Sequence, residues 1–568
     1  MRQGRPMLVL IATLGAAGNA AWAGPADGRP PGRGDSRARG SGRYISAQAY
    51  HHAMRAELAL SAGQPERAIE ELKLARVYDQ ESLYLTLRLG SALLEARRLD
   101  RAERLVGEAK KLAPGAPEAL RFEAQVALAR GATQVAESTL KRVVDRHPGD
   151  LEAVTLYADL LLRQRRLPEA AKVLKRAAER APQAVEPLLG LARVELERHA
   201  FAAAAVALER AASRDDRRGD VIAALAEVYH RLDRDEEAAE RLRAVIEVSP
   251  QDERALLAAA RAELWVGQEE RAARWLARLE RQGDQGTGAR RAGLLYAQEG
   301  RYERAVPLLV RALAAQPGDT EVRFELVRSQ RALGGLAEAL GSLELISSDD
   351  PRHLEARAEA AAILLEQGRA ERAELALQPA LAVAPADPRL LATWLAVRHA
   401  RGRGAEALTQ LTPTARGDPI VQLAEARTFW ALGQLEEAAQ RLLAAGTAEA
   451  LVALSELELQ RGRGEPALEA LRRAEKRWPA SALAKAALAT HLAQQGEALV
   501  DAERLASEAL ALDPGSPTAL AARGVVAVKR GELEAAARYW ERARRLAPRD
   551  PRIAGLGRAV REGGRVGK

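Results

Sequence analysis

The sequence predicts an all-α solenoid of about fifteen stacked helix-turn-helix units. Three observations carry that prediction. An alanine recurs at an almost fixed interval of 34 residues, glycine and proline punctuate each interval at constant offsets, and the composition offers little else from which to build a core. Of 568 residues, 47% are hydrophobic but only 4% aromatic, so alanine and leucine must do the packing. That suits closely spaced helices better than sheets.

The elements follow in chain order. Residues 1–23 read as a secretory signal peptide. Arg2 and Arg5 give a positive start, Met7 to Ala21 is apolar but for Thr13 and Asn19, and Ala21-Trp22-Ala23 has the small-x-small form of a cleavage site. The apolar stretch is short for a bilayer span. Cleavage would leave Gly24 first, with no cysteine to carry a lipid anchor. The expected location is periplasmic or secreted, with no membrane span after cleavage. Residues 24–48 are a Gly/Arg/Pro-rich leader with too few apolar side chains to form a core, and read as disordered. Within it, Arg33-Gly34-Asp35-Ser36 spells an integrin-binding tetrapeptide, a coincidence expected of such composition.

The array occupies 49–550. Ala68, Ala102, Ala136, Ala170, Ala204, Ala238 and Ala272 are 34 residues apart. After one step of 33 come Ala305, Ala339, Ala373 and Ala407, then Ala438, Ala467, Ala502 and Ala536 at steps of 31, 29, 35 and 34. Four residues beyond each alanine lies a large side chain, usually leucine, as at Leu140 and Leu309. Twelve before it lies a small one, such as Gly90, Ala158 or Gly293. Glycine often stands five before it (Gly63, Gly131, Gly300) and proline twelve after it (Pro114, Pro148, Pro317). Ala136, Leu140 and Val143 share one helical face. Glycine ends the first helix because it tolerates a left-handed turn, and proline stops the second because it lacks an N–H. Neither helix can bury its face alone, so the units must stack. Departures cluster at 388–447, where two units shorten and tighter connections are expected. One extra residue is expected after Gly496. Residues 551–568, with a charge of +4, read as a basic cap or tail that frays.

The unit from Gly286 to Pro317, with Gly293, Tyr296, Gly300, Ala305, Leu309 and Ala312 in phase, resembles the tetratricopeptide repeat family. The likeness extends over 49–550. It implies a right-handed superhelix that binds segments of other proteins in its concave groove. In exported bacterial proteins of this kind it further implies a non-enzymatic scaffold in the cell envelope, supporting assembly of a polysaccharide, pilus or outer-membrane export complex. A periplasmic holdase for exported clients is the alternative.

Other functions find little support. With no cysteine there are no disulfides or thiolate sites. The only Gly-Lys pair is Gly567-Lys568, so no phosphate loop forms. Ser138-Thr139-Leu140-Lys141 matches a Ser-x-x-Lys pattern, but Leu140 is a core position. The eight histidines are scattered: His51 and His52 diverge, His147 and His353 lie by turns, and His199 takes a turn-glycine position. His230 and His399 face the groove in distant units, and His491 stands alone. No enzyme, cofactor or metal is expected. The net charge of +8 sits at the ends, leaving −1 over 49–550, which disfavours nucleic acid. The Arg-Gly tracts at 401–404 and 461–464 read as solvated turns.

If the first helix of each unit lines the groove, as the resemblance implies, its lining side chains are polarised. Units one to six carry nine acids, Glu118, Glu152, Asp159, Glu186 and Glu227 among them, against four arginines. Units seven to twelve carry seven arginines, including Arg254, Arg261, Arg290, Arg328, Arg331 and Arg427, against three acids. Trp265, Phe324 and Trp430 are candidate apolar anchors. The expected partners are one or more envelope proteins, bound through peptide or helix segments. The Lys/Asn clamp that some family members use for C-terminal carboxylates is disfavoured, since the only Asn is Asn19.

Overall fold

The computed structural model describes residues 46–215, 218–248, 251–282, 285–496 and 498–566. The expected signal peptide and nearly all of the expected leader, residues 1–45, lie outside the described residues. Within them the chain is all helical: fifteen helix pairs, from Ala47–Ser61 with Pro65–Tyr78 to Pro517–Arg530 with Leu533–Leu546, and a closing helix, Pro551–Val566. No described helix is long and apolar enough to cross a membrane. Two compact units arise, residues 46–215 with five pairs and 218–566 with ten pairs and the closing helix.

The periodic alanines are the packing centres. All fifteen, from Ala68 to Ala536, are fully buried. A larger side chain there would push neighbouring helices apart. The small position of the first helix is equally tight: a methyl group on Gly90 would fall inside the Phe122 ring. First helices often begin on a capping side chain. Asp150 accepts from the Ala153 N–H at 3.0 Å, and Ser481 from Ala484 at 3.2 Å.

The turn between paired helices requires a left-handed residue, and eleven glycines supply it, Gly300 (φ 70°) and Gly368 (φ 71°) among them. In four units a non-glycine residue is forced into the same conformation: Arg97 (φ 57°), Arg165 (φ 60°), His199 (φ 56°) and Asp233 (φ 60°). Each such residue carries backbone strain that glycine would not.

Two expectations need correction. The first short unit shrinks in its second helix and not in its connection, whereas the second shrinks in both, with only Gly446 and Thr447 joining Leu435–Ala445 to Ala448–Gln460. Gly404–Gln410 has 7 residues and Leu435–Ala445 has 11, where Pro65–Tyr78 has 14. The first stops at Gln410, shortly before Pro413, although Ala370–Val383 runs through Pro379 at the same register. A 3-10 turn at Ala415–Gly417 then carries the chain onward. The terminal helix, expected to fray, is instead seated through buried Ile553 and Leu556. The extra residue after Gly496 falls at 497, outside the described residues. The flanking helices, ending at Gln495 and resuming at Leu499, leave room for it.

Within 218–566 the coil returns upon itself. Tyr302 donates its hydroxyl to the Leu546 carbonyl at 2.9 Å. Arg231 donates to the Ala511 and Leu512 carbonyls at 2.6 and 3.0 Å, the last of their helix. Tyr539 donates to the Asp233 carboxylate. Arg542 lies 3.5 Å from Asp235 and donates to His230 Nε2 at 3.2 Å. The other His230 nitrogen, Nδ1, is 2.5 Å from Asp235 Oδ1. At Gly300 the approach is so close that a Cβ would sit 2.9 Å from the Arg545 carbonyl carbon. Burial, with Arg301 and Arg542 nearby, pushes the Arg545 guanidinium down to about 10.

Candidate partner groove

The inner side of the coil can be read from the packing. First helices of successive pairs lie against one another, as Ala482–Gln495 does against Pro517–Arg530, while second helices splay apart. The first helices therefore line the concave face, where the candidate residues lie.

Most charged candidates are paired across neighbouring repeats. Arg121 reaches Asp150 at 2.6 Å and Glu152 at 3.2 Å. Arg193 binds Asp159 at 2.8 Å. Arg261 lies 3.7 Å from Glu227 and 3.6 Å from Glu299. Arg290 bridges Asp319 at 2.7 Å and Glu321 at 2.6 Å. Arg331 pairs with Glu359 at 2.5 Å and with Glu366. Arg328 pairs with Glu325 at 2.6 Å within its own helix. The hydrogen bond that Arg331 donates to Glu366 pushes the guanidinium above its ordinary value, outweighing burial. Burial works against ionisation of Asp319, but Arg290 and the Val322 N–H hold its carboxyl below the usual range.

These ladders consume much of the free charge that a count along the sequence assigns. Exposed Glu118, Arg254 and Arg427 have no side-chain ion pair among the described residues, and Arg389 shares that state. Glu186 is exposed at the start of its helix and has an interaction of its own. The polarity thus narrows to a few unpaired arginines in the second unit.

The three aromatic candidates are half-buried, each with a different neighbour. Trp265 stacks on His230, ring centroids 3.7 Å apart, and so supports the place where the coil meets itself. Phe324 lies under the Arg352 guanidinium at 3.7 Å. Trp430 packs on the Ala438–Leu442 cluster and donates its indole N–H to Gln460 at 2.6 Å.

Tetratricopeptide repeat models match this sequence at 127–194 and 296–351, and again at 53–117, 87–151, 423–482 and 457–517, together just over half of its length. The chain belongs to the tetratricopeptide repeat family. No curated protein matches it as a relative. Several solved structures are similar to parts of this tetratricopeptide array. One is the APC/C hetero-tetramer Cut9-Hcn1, with 15% identity and a TM-score of 0.37, covering 85% of this chain and 97% of that one. Pseudomonas aeruginosa pilF has 18% identity and a TM-score of 0.30, covering 36% and 92%. A thermophilic tetratricopeptide repeat protein of Thermus thermophilus has 29% identity and a TM-score of 0.26, covering 32% and 100%.

Repeat arrays of this family serve protein–protein interaction, and the concave face of this one offers the parts for it. It has rigid helices, half-buried rings, unpaired arginines and paired charges that could exchange partners. Two features of the tetratricopeptide array escape sequence reasoning. The self-contact engages Arg231, Tyr302, Tyr539 and Arg542, which no local pattern marks. A cavity under the final repeats, described below, is the other.

Proposed function

We propose that the chain is a non-catalytic scaffold that holds segments of partner proteins on its concave face. The observation that carries the reading is the first-helix surface itself. Fifteen stacked repeats present it continuously within each unit, with Phe324 and Trp430 half-buried and Arg254, Arg389 and Arg427 free to pair. A half-buried ring beside a free arginine suits an apolar side chain flanked by a carboxylate.

The signal-like residues 1–23 support a finer reading: an exported protein of the bacterial envelope that helps assemble an export or secretion complex. Crosslinking in living cells, followed by purification of the tagged full chain and mass spectrometry, tests both levels. One or two envelope proteins in high yield, with a mature chain beginning at Gly24, is the expected result. A broad spread of unfolded exported proteins would replace the dedicated scaffold with a holdase. Cytoplasmic partners alone, with Met1 retained, would remove the envelope assignment.

A further inference from the structure

The concave face changes character at its end. The first helices Ala448–Gln460, Ala482–Gln495 and Pro517–Arg530, with the closing helix, enclose a cavity of about 470 Å³. Its walls are mainly aliphatic, from Val452, Leu459, Leu483, Val525 and Leu556. This volume falls within the range of sites that bury most of a small bound group.

Two buried wall residues are polar: Ser455, which donates to the Val452 carbonyl at 2.7 Å, and His491. His491 is only 5% exposed, and no described protein group hydrogen-bonds its ring. Burial pushes its imidazole below the ordinary value, so the ring stays neutral, with one N–H to donate and one nitrogen to accept. The register sharpens the anomaly. Once the extra residue of this unit is allowed for, His491 occupies the position held elsewhere by buried Val126, Leu160, Val194, Ile363 and Val526. Two other units place a polar residue there, and both satisfy it within the helix. Ser329 donates to the Glu325 carbonyl at 2.8 Å and Thr428 to Ala424 at 2.9 Å. His491 makes no such bond. Its ring nitrogens therefore open onto the cavity and not onto a protein partner, where a ligand group can meet them.

We propose that this cavity receives a tyrosine side chain from a partner segment, the phenol hydroxyl meeting the His491 ring. The inference rests on the scaffold reading above. A tyrosine combines an apolar body with one polar tip, which matches apolar walls around one unpaired imidazole. An acyl chain entering tail-first would set its methyl end against the imidazole and leave it unpaired. At the rim, Arg552 lies 2.9 Å from Asp550 and 3.9 Å from Glu456, and exposed Lys529 balances the second acid, so the mouth is neutral.

The test is titration of the full chain with acetyl-Glu-Leu-Tyr-Leu-amide and its phenylalanine counterpart, read by saturation-transfer NMR. The tyrosine peptide is expected to bind about fivefold more tightly, the scale of one buried hydrogen bond. His491→Val should erase that difference, and Ala487→Phe, which fills the cavity, should abolish binding of both. Equal binding of the two peptides to the native chain overturns the proposal. So does a preference that survives His491→Val, or failure of both peptides to bind. Laurate binding more tightly than either would assign the cavity to a lipid-like ligand instead. If crosslinked partners persist without any tyrosine preference, the scaffold reading stands and this one falls.

Discussion

The two units share one repeat but differ in the reach of their contacts. In residues 46–215 the described side-chain bonds link residues no more than 34 positions apart, which is one repeat. In 218–566 they also span 244, 280, 306 and 312 positions, where the coil meets itself. The alanine centres are equally buried in both. The difference therefore lies in a few side chains at the turns, not in the repeat. A stack with only nearest-neighbour contacts gains stability one repeat at a time. A coil joined to itself holds groups of repeats together, so its two contacting regions should open as one.

The strongest way to break this comparison is a matched pair of substitutions. Gly300 and Gly368 have almost the same φ, 70° and 71°, but only Gly300 has backbone against it. Gly368→Ala should cost about 1 kcal/mol, the strain of a left-handed alanine. Gly300→Ala should cost roughly 3 kcal/mol, because overpacking against Arg545 is added. Urea unfolding measures both, and equal losses would mean that the self-contact contributes nothing.

Arg542→Ala comes next, at about 2 kcal/mol, since it leaves buried His230 and Asp235 short of a partner. Hydrogen exchange should quicken both in Gly219–Arg231 and in Leu533–Leu546, yet leave 46–215 unchanged. Quickening at one site alone would show the regions to be independent.

His491→Val should stabilise the second unit by about 0.5–1 kcal/mol in the absence of ligand, by replacing an imidazole in a mainly apolar wall with an aliphatic side chain. The gain should depend on pH, with a sign fixed by the depressed His491 value. The folded chain holds this imidazole neutral, while the unfolded chain takes up a proton as the pH falls through about 6.5. Native stability is thus lost below that pH, and the variant should lose less between pH 7 and pH 5. Parallel pH profiles would remove His491 from the account. The smallest effect is Arg97→Gly in the first unit, a gain of about 0.5–1 kcal/mol from relieving a left-handed arginine. A loss there would mean that the Arg97 side chain makes a contact worth more than the strain.

Much of the fold was legible because its determinants are local. The alanine period, the left-handed turn and the proline stop each act within a few residues. Even the four strained turns could be anticipated, since His199 visibly takes a glycine position. The shortened helices at 404–410 and 435–445 were not anticipated, and the expected tighter connection follows only the second. The groove was legible in position but not in charge. Arg290 and Glu321 lie 31 residues apart yet form one ion pair in space, so a tally along the chain overcounts free charge. The self-contact was hidden for another reason. It depends on small rotations summed over many repeats, which no single repeat encodes. His491 was masked by the extra residue of its own unit, which shifts it out of phase with the aliphatic positions it replaces.

The joined coil also bears on mechanics. A stack of helix pairs without cross-links lengthens under load like a soft spring, each joint yielding a little. The second unit cannot begin that way when pulled from its two ends, because Arg231, Tyr302, Tyr539 and Arg542 bridge successive windings. Their bonds must shear first. A force trace of this segment should therefore show a distinct rupture before compliant extension, so that a partner held in the groove sits in a stiff clasp until a threshold tension is passed.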